Sequence, residues 1–235
     1  MFRSLFIFLI LGAGLMACSS VSKISIKGEC LKVDEQYKTS SRVDGMIQPY
    51  RIELQKEMDV KIAFATGDFV VERPCGSLNN WVADALMYYL TKNNQQEAPT
   101  FCLFNTGGIR STINQGDVTV GDIFKVMPFD NLLAWVKMPI SSIPLIESHL
   151  KATGGEPISG AYLDHGKLII KGMNSQSTYF WIITSDYLMN GGDKMTFFEQ
   201  KISSKMTDFL MRDALLSVAK EQSVLVMDTN NRINF

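Results

Sequence analysis

The order of apolar patterns along these 235 residues predicts an α+β domain in which helices pack on a mixed sheet. Two observations carry that prediction. Helical and strand-like segments intermix without the strict strand-helix alternation of a doubly wound parallel sheet. The composition, 46% apolar and 20% charged, supplies enough apolar side chains for one sizeable core. No internal repeat or low-complexity linker interrupts the chain, so a single domain is expected over 46–235.

The elements justify themselves in chain order. Arg3 precedes the apolar run Leu5 to Leu15, and the segment closes Leu15-Met16-Ala17-Cys18, which resembles a bacterial lipobox. The run is shorter than the about 20 residues a membrane span needs, and its small-residue end marks a cleavage site. Residues 1–17 therefore read as a lipoprotein signal peptide, with Cys18 left as the lipid-bearing first residue. Several acyl chains, at about 0.8 kcal/mol per buried CH₂, would hold Cys18 at a membrane surface. The expected location is the cell envelope, on the outer membrane facing the periplasm. Residues 18–45 are expected to form a lipidated arm, polar and rich in Ser and Lys from 19 to about 40, which either tethers the domain or adds a strand at Ile24-Ser25-Ile26, where the pattern alternates.

Within the domain, the charge content of Gln48 to Met58 suggests a helix, and Val60 to Ala65 alternates as a half-buried strand. Asn79 or Asn80 is expected to cap a helix from Trp81 to Leu90. Phe101 to Phe104 is an apolar strand, Val118 to Asp122 leads into a short helix, Leu132 to Met138 is strand-like and Ile140 to Lys151 helical. Leu163 to Lys171 has the composition of a hairpin, and Tyr179 to Thr184 is a strand. A last helix is expected over Lys205 to Lys220, with Met206, Phe209, Leu210 and Leu216 near one face. With Cys18 modified, Cys30, Cys75 and Cys102 allow at most one disulfide; a bridge between Cys30 and Cys75 is conceivable, and Cys102 reads as a small core residue.

Two loops carry the chemistry. The strand Phe101 to Phe104 runs into Asn105-Thr106-Gly107-Gly108-Ile109-Arg110. The glycines allow φ > 0 or a close approach of backbone to ligand, Asn105 offers an amide that can read a base edge, and Arg110 a guanidinium suited to phosphate. The strand Tyr179 to Thr184 breaks into Tyr187-Leu188-Met189-Asn190-Gly191-Gly192-Asp193, where an aromatic and a carboxylate bracket a double glycine. Pro128-Phe129-Asp130-Asn131 lies between the two.

These three motifs, in this order, resemble the C-terminal, substrate-specificity domain of the 5'-nucleotidase and UDP-sugar hydrolase family. That family's pattern runs Asn-Gly-Gly-Gly-Ile-Arg, Pro-Phe-Gly-Asn, then an aromatic six residues before the Asp of an Asn-Gly-Gly-Asp turn. The likeness covers Arg73 to Phe235, with Thr106 and Asp130 as the main departures and Tyr187 standing where the family has Phe. The resemblance implies that Phe129 and Tyr187 sandwich a nucleobase, Asn105 bonds its edge, Gly107 and Gly108 line the site, Arg110 meets phosphate and Asp193 takes the ribose hydroxyls. Arg73 is the counterpart of a further family arginine, one residue out of register. Thr106 places a Cβ where the family has none, against a close approach of the ligand.

Enzymes of that family hydrolyse phosphate esters at a two-metal site in a separate domain, and such a site needs clustered Asp, His and Asn ligands. This sequence has two histidines, His149 and His165, in a helix-like and a turn-like segment, and neither Asp-x-His nor Gly-Asn-His-Glu. It shows no nucleophile elbow, Walker loop or dinucleotide fingerprint. No catalytic or metal residue is assigned; a divalent metal pair is expected in a partner chain, a separately encoded metallophosphoesterase. The alternative is a noncatalytic surface protein that binds nucleosides or nucleotides. A net charge of -1 without a basic stripe argues against a polynucleotide partner.

Overall fold

The computed structural model describes Gly28, Cys30, residues 40–92 and residues 98–235. The signal segment, Cys18 and the alternation at Ile24 to Ile26 lie outside the described residues. The chain divides into two units, Met1–Met46 and Ile47–Phe235, and the site described below is built within the second.

The elements are α1 (Ser41–Met58), β1 (Lys61–Ala65), α2 (Ser77–Thr91), β2 (Thr100–Leu103), β3 (Gly116–Thr119), α3 (Val120–Val126), β4 (Leu132–Pro139), α4 (Ile143–Thr153), β5 (Ile158–Ser159), β6 (Ala161–Asp164), β7 (Lys167–Ile170), β8 (Tyr179–Ser185), α5 (Asp186–Met189), β9 (Ser203–Leu210), α6 (Met211–Gln222) and β10 (Val224–Leu225). The main sheet has the order β5-β2-β8-β4-β9. Only β2 and β8 run parallel there; the other neighbours are antiparallel. A smaller sheet, β10-β1-β3, is also mixed, and β6-β7 is a separate hairpin. The class is α+β, as the intermixed pattern predicts.

β8 is the central strand, and Phe180, Ile182, Ile183 and Thr184 on it are all buried. A near-continuous apolar run is what a strand covered on both faces requires. α2 packs against β2, β5 and α6. The hairpin turns at His165 and Gly166, both at positive φ (47° and 74°), the combination that a two-residue turn between twisted strands favours.

Three expectations change. α2 begins at Ser77, so Asn79 and Asn80 lie inside its first turn rather than capping it. Both are buried and bond elsewhere: Asn79 accepts from the Glu72 amide and donates to Thr106 Oγ1, and Asn80 donates to the carbonyls of Asp228 and Asn230. The final helix expected from Lys205 is replaced over Ser203–Leu210 by the edge strand β9, paired with β4 through Ala134 and Met206. Met206 and Phe209 are exposed, and the buried stripe of α6 is Met211, Ala214, Leu215, Val218 and Ala219. The ladder offered by β4, invisible to a local reading, overrides propensity here. Finally, Cys30, Cys75 and Cys102 are all free thiols; Cys102 is buried in β2, as expected.

Candidate nucleotide-recognition cleft

Strand direction alone brings the three motifs together. β2 and β8 are parallel neighbours, with Cys102 opposite Ile183, so the loops that leave their C-terminal ends emerge side by side. β4 is antiparallel to β8 and pairs Leu133 with Ser185, which delivers the segment before Leu132 to the same edge. A cleft of about 380 Å³ opens there. Asn105, Gly107, Gly108 and Arg110 line it from the first loop, Phe129 and Asn131 from the second, and Tyr187 and Asp193 from the third.

The first loop is a 3₁₀ turn over Thr106–Gly108, and neither Gly107 nor Gly108 adopts positive φ. Gly108 is needed for proximity: a Cβ there would lie 2.8 Å from Asn105 Oδ1. The Asn105 amide is thereby free to reach across the cleft, donating to Asp193 Oδ2 at 2.6 Å. Thr106 does not obstruct the cleft through its side chain, because its hydroxyl accepts from Asn79 at the start of α2. Arg110 is set by its own backbone amide, which donates to the Val126 carbonyl at the end of α3 at 2.9 Å. Its guanidinium donates to the Gly107 carbonyl and lies 5.9 Å from the centre of the Phe129 ring.

The third loop is fixed more tightly. The Tyr187 hydroxyl donates to Asp193 Oδ1 at 2.9 Å and accepts from the Asp193 amide at 3.3 Å. Bonding to the carboxylate raises the Tyr187 pKa. Asp193 sits at φ 49°, a left-handed conformation that short polar residues tolerate better than most. Phe129 and Tyr187 remain 42% and 48% exposed, unusual for large rings that have an apolar core available.

Arg73, predicted beside these residues, does not line the cleft. Its guanidinium donates to the Gly155 carbonyl and pairs with Glu156 at 3.1 Å. The reason is electrostatic: the Glu156 side chain is only 3% exposed, and a buried carboxylate without a cation is costly. Glu156 in turn accepts from the Thr106 amide at 2.6 Å, so Arg73 supports the first loop from behind. Asp130 also points away from the cleft, paired with Arg212 at 2.6 Å. Asn131 was not among the predicted site residues. The signal was present in the Pro128-Phe129-Asp130-Asn131 motif that it closes.

The histidines do not form a metal centre. His149 lies edge-on to Phe197 with ring centres 5.5 Å apart, and burial lowers its pKa. His165 occupies the hairpin tip beside Asp164. Among the described residues no group of three or more His, Cys, Asp or Glu side chains could hold a metal ion, so the donors described do not fit a metal pair.

A mixed sheet thus presents three loops around one cleft at one end. Residues 60–139 match the family model described as 5'-nucleotidase, C-terminal domain. The chain is 28% identical over 148 residues to a 5'-nucleotidase of Vibrio cholerae, covering 60% of this chain and 25% of that protein. It is 25% identical over 178 residues to a 5'-nucleotidase of Vibrio parahaemolyticus, covering 74% and 31%. The fold is similar to that of a 5'-nucleotidase precursor from Thermus thermophilus, with a TM-score of 0.65 at 23% identity over 82% of this chain and 42% of that one. A NAD nucleotidase from Haemophilus influenzae gives a TM-score of 0.61 at 16% identity, covering 83% and 41%. Residues 60–139 are thus similar to a 5'-nucleotidase C-terminal domain, and the chain spans roughly a quarter to a third of the length of these Vibrio relatives.

Proposed function

We propose that this domain is a nucleotide-binding specificity module of a 5'-nucleotidase-type phosphohydrolase, acting in nucleotide breakdown. The observation that carries the proposal is the convergence of the three loops on one cleft of about 380 Å³, within the size range of small-molecule sites. In this reading Phe129 and Tyr187 stack on the base, Asn105 reads its edge, Arg110 meets phosphate and Asp193 binds the ribose. Stacking contributes about 1–3 kcal/mol per base and tolerates any base. Phosphate-ester cleavage would fall to a metallophosphoesterase held in a separate chain with its own divalent metal pair, so the module contributes by orienting the substrate. Calorimetric titration with AMP, adenosine and UDP-glucose tests the binding claim. Phe129→Ala and Tyr187→Ala should each weaken binding about fivefold or more, and wild-type affinity in both variants would sink the reading. Efficient AMP hydrolysis by the isolated protein with added divalent metal would sink the divided enzyme.

The charge around the cleft favours a second reading. Arg110 is the cation among the lining residues and Asp193 the anion, while Arg73 is committed to Glu156. A near-neutral cleft suits a nucleoside captured at the cell surface without catalysis. Adenosine binding as tightly as AMP would support capture, and a marked preference for AMP the divided enzyme.

We further propose that Cys18 is acylated and anchors the protein to the outer membrane on its periplasmic side. The support is the Leu15-Met16-Ala17-Cys18 sequence after a short apolar run. Metabolic labelling with a palmitate analogue should mark the wild type and leave Cys18→Ala unlabelled; equal labelling of both would refute acylation there.

A further inference from the structure

We infer that the Tyr187 hydroxyl is a positioning group that makes the cleft selective for ribonucleosides and ribonucleotides over their 2'-deoxy counterparts. The inference rests on the nucleoside-binding reading and adds the class of sugar.

The argument starts from Asp193. Its two carboxylate oxygens offer about four acceptor positions. Asn105 occupies one on Oδ2 and Tyr187 one on Oδ1. That leaves one acceptor position on each oxygen, a pair that two adjacent hydroxyls of one sugar can fill together. A single hydroxyl fills one and leaves the other to water. Selection of a vicinal diol therefore depends on the carboxylate plane being held still, and its two present partners come from different loops, Asn105 from the first and Tyr187 from the third.

Tyr187 is suited to that task. Its ring lies close over Gly192, where an added Cβ would come 2.5–2.7 Å from three of the ring carbons. Its hydroxyl both donates to the Asp193 carboxylate and accepts from the Asp193 amide, which ties the side chain and the backbone of one residue to a single oxygen. Asp193 needs that support at φ 49°. The raised Tyr187 pKa keeps the hydroxyl protonated, and hence a donor, through neutral and mildly alkaline pH. A phenylalanine here would keep the stacking face and the approach to Gly192 and lose both hydrogen bonds to Asp193.

The test is calorimetric titration of full-length wild type and Tyr187→Phe with adenosine and 2'-deoxyadenosine, with the melting temperature of each ligand-free protein as a control for folding. Wild type should prefer adenosine by about tenfold, as expected for one hydrogen bond to a charged acceptor. Tyr187→Phe should reduce that preference to about twofold or less. A purely structural role would weaken both ligands equally and keep the ratio. An unchanged ratio in Tyr187→Phe, or a wild type that binds both sugars alike, would overturn the inference while leaving nucleoside binding intact. Failure of either nucleoside to bind would overturn the underlying reading and the inference with it.

Discussion

Glu156 shows how a residue that never faces the cleft can set its shape. Its carboxylate is buried between the Arg73 guanidinium and the Thr106 amide, so one anion holds both the segment before α2 and the first recognition loop. Charge-assisted bonds of this kind are stronger than neutral ones, and the exposed part of Arg73 tempers the cost of desolvation. Glu156→Gln keeps the shape and removes the charge. It should lower stability by about 1–3 kcal/mol in urea unfolding and weaken nucleoside binding through the loosened loop. A variant as stable as wild type would mean that Glu156 does not bear on the loop. At this scale the cleft residues were legible because Asn105, Arg110, Phe129, Tyr187 and Asp193 sit in short motifs whose spacing survives in the sequence. Arg73 was misplaced for the opposite reason. Its partner lies 83 residues away, and nothing local marks a buried acid that needs a cation.

The elements divide into those whose sequence pattern suffices and those that need a neighbour. α3 is of the first kind: Thr119 accepts from the Asp122 amide while the Asp122 carboxylate accepts from the Thr119 amide, a reciprocal cap. The Asp122 pKa is lowered: burial, the largest influence, opposes this, but the bonds from Thr119 and Lys125 outweigh it. Because the far end of α3 holds the Arg110 amide through Val126, this cap stands behind the cleft. Thr119→Ala should cost about 1 kcal/mol by denaturant titration, with nucleoside affinity within about twofold of wild type. A loss of affinity much larger than that would show that α3 governs the Arg110 side chain directly. β9 is of the second kind. Its run Ser203 to Leu210 carries Met206 and Phe209 at helix-like spacing, yet β4 lacks a partner on that edge and takes it as a strand. Helix α2 was readable in its body and not at its start, since Asn79 and Asn80 resemble caps while serving distant backbone groups.

For the molecule as a whole, the class was readable from the mixture of patterns, but the strand order was not. Nothing in the runs Phe101 to Phe104 and Tyr179 to Thr184 says that they are parallel neighbours, although the cleft exists because they are. Closure comes from the segment 228–235. Arg232 pairs with Asp84 of α2 and with Asp228 and donates to the Ile158 carbonyl, while Ile233 bridges to Leu163. The carbonyls of Asp228 and Asn230 satisfy buried Asn80. During synthesis these residues leave the ribosome after everything they fasten, so a nascent chain has an unlatched α2 until they emerge.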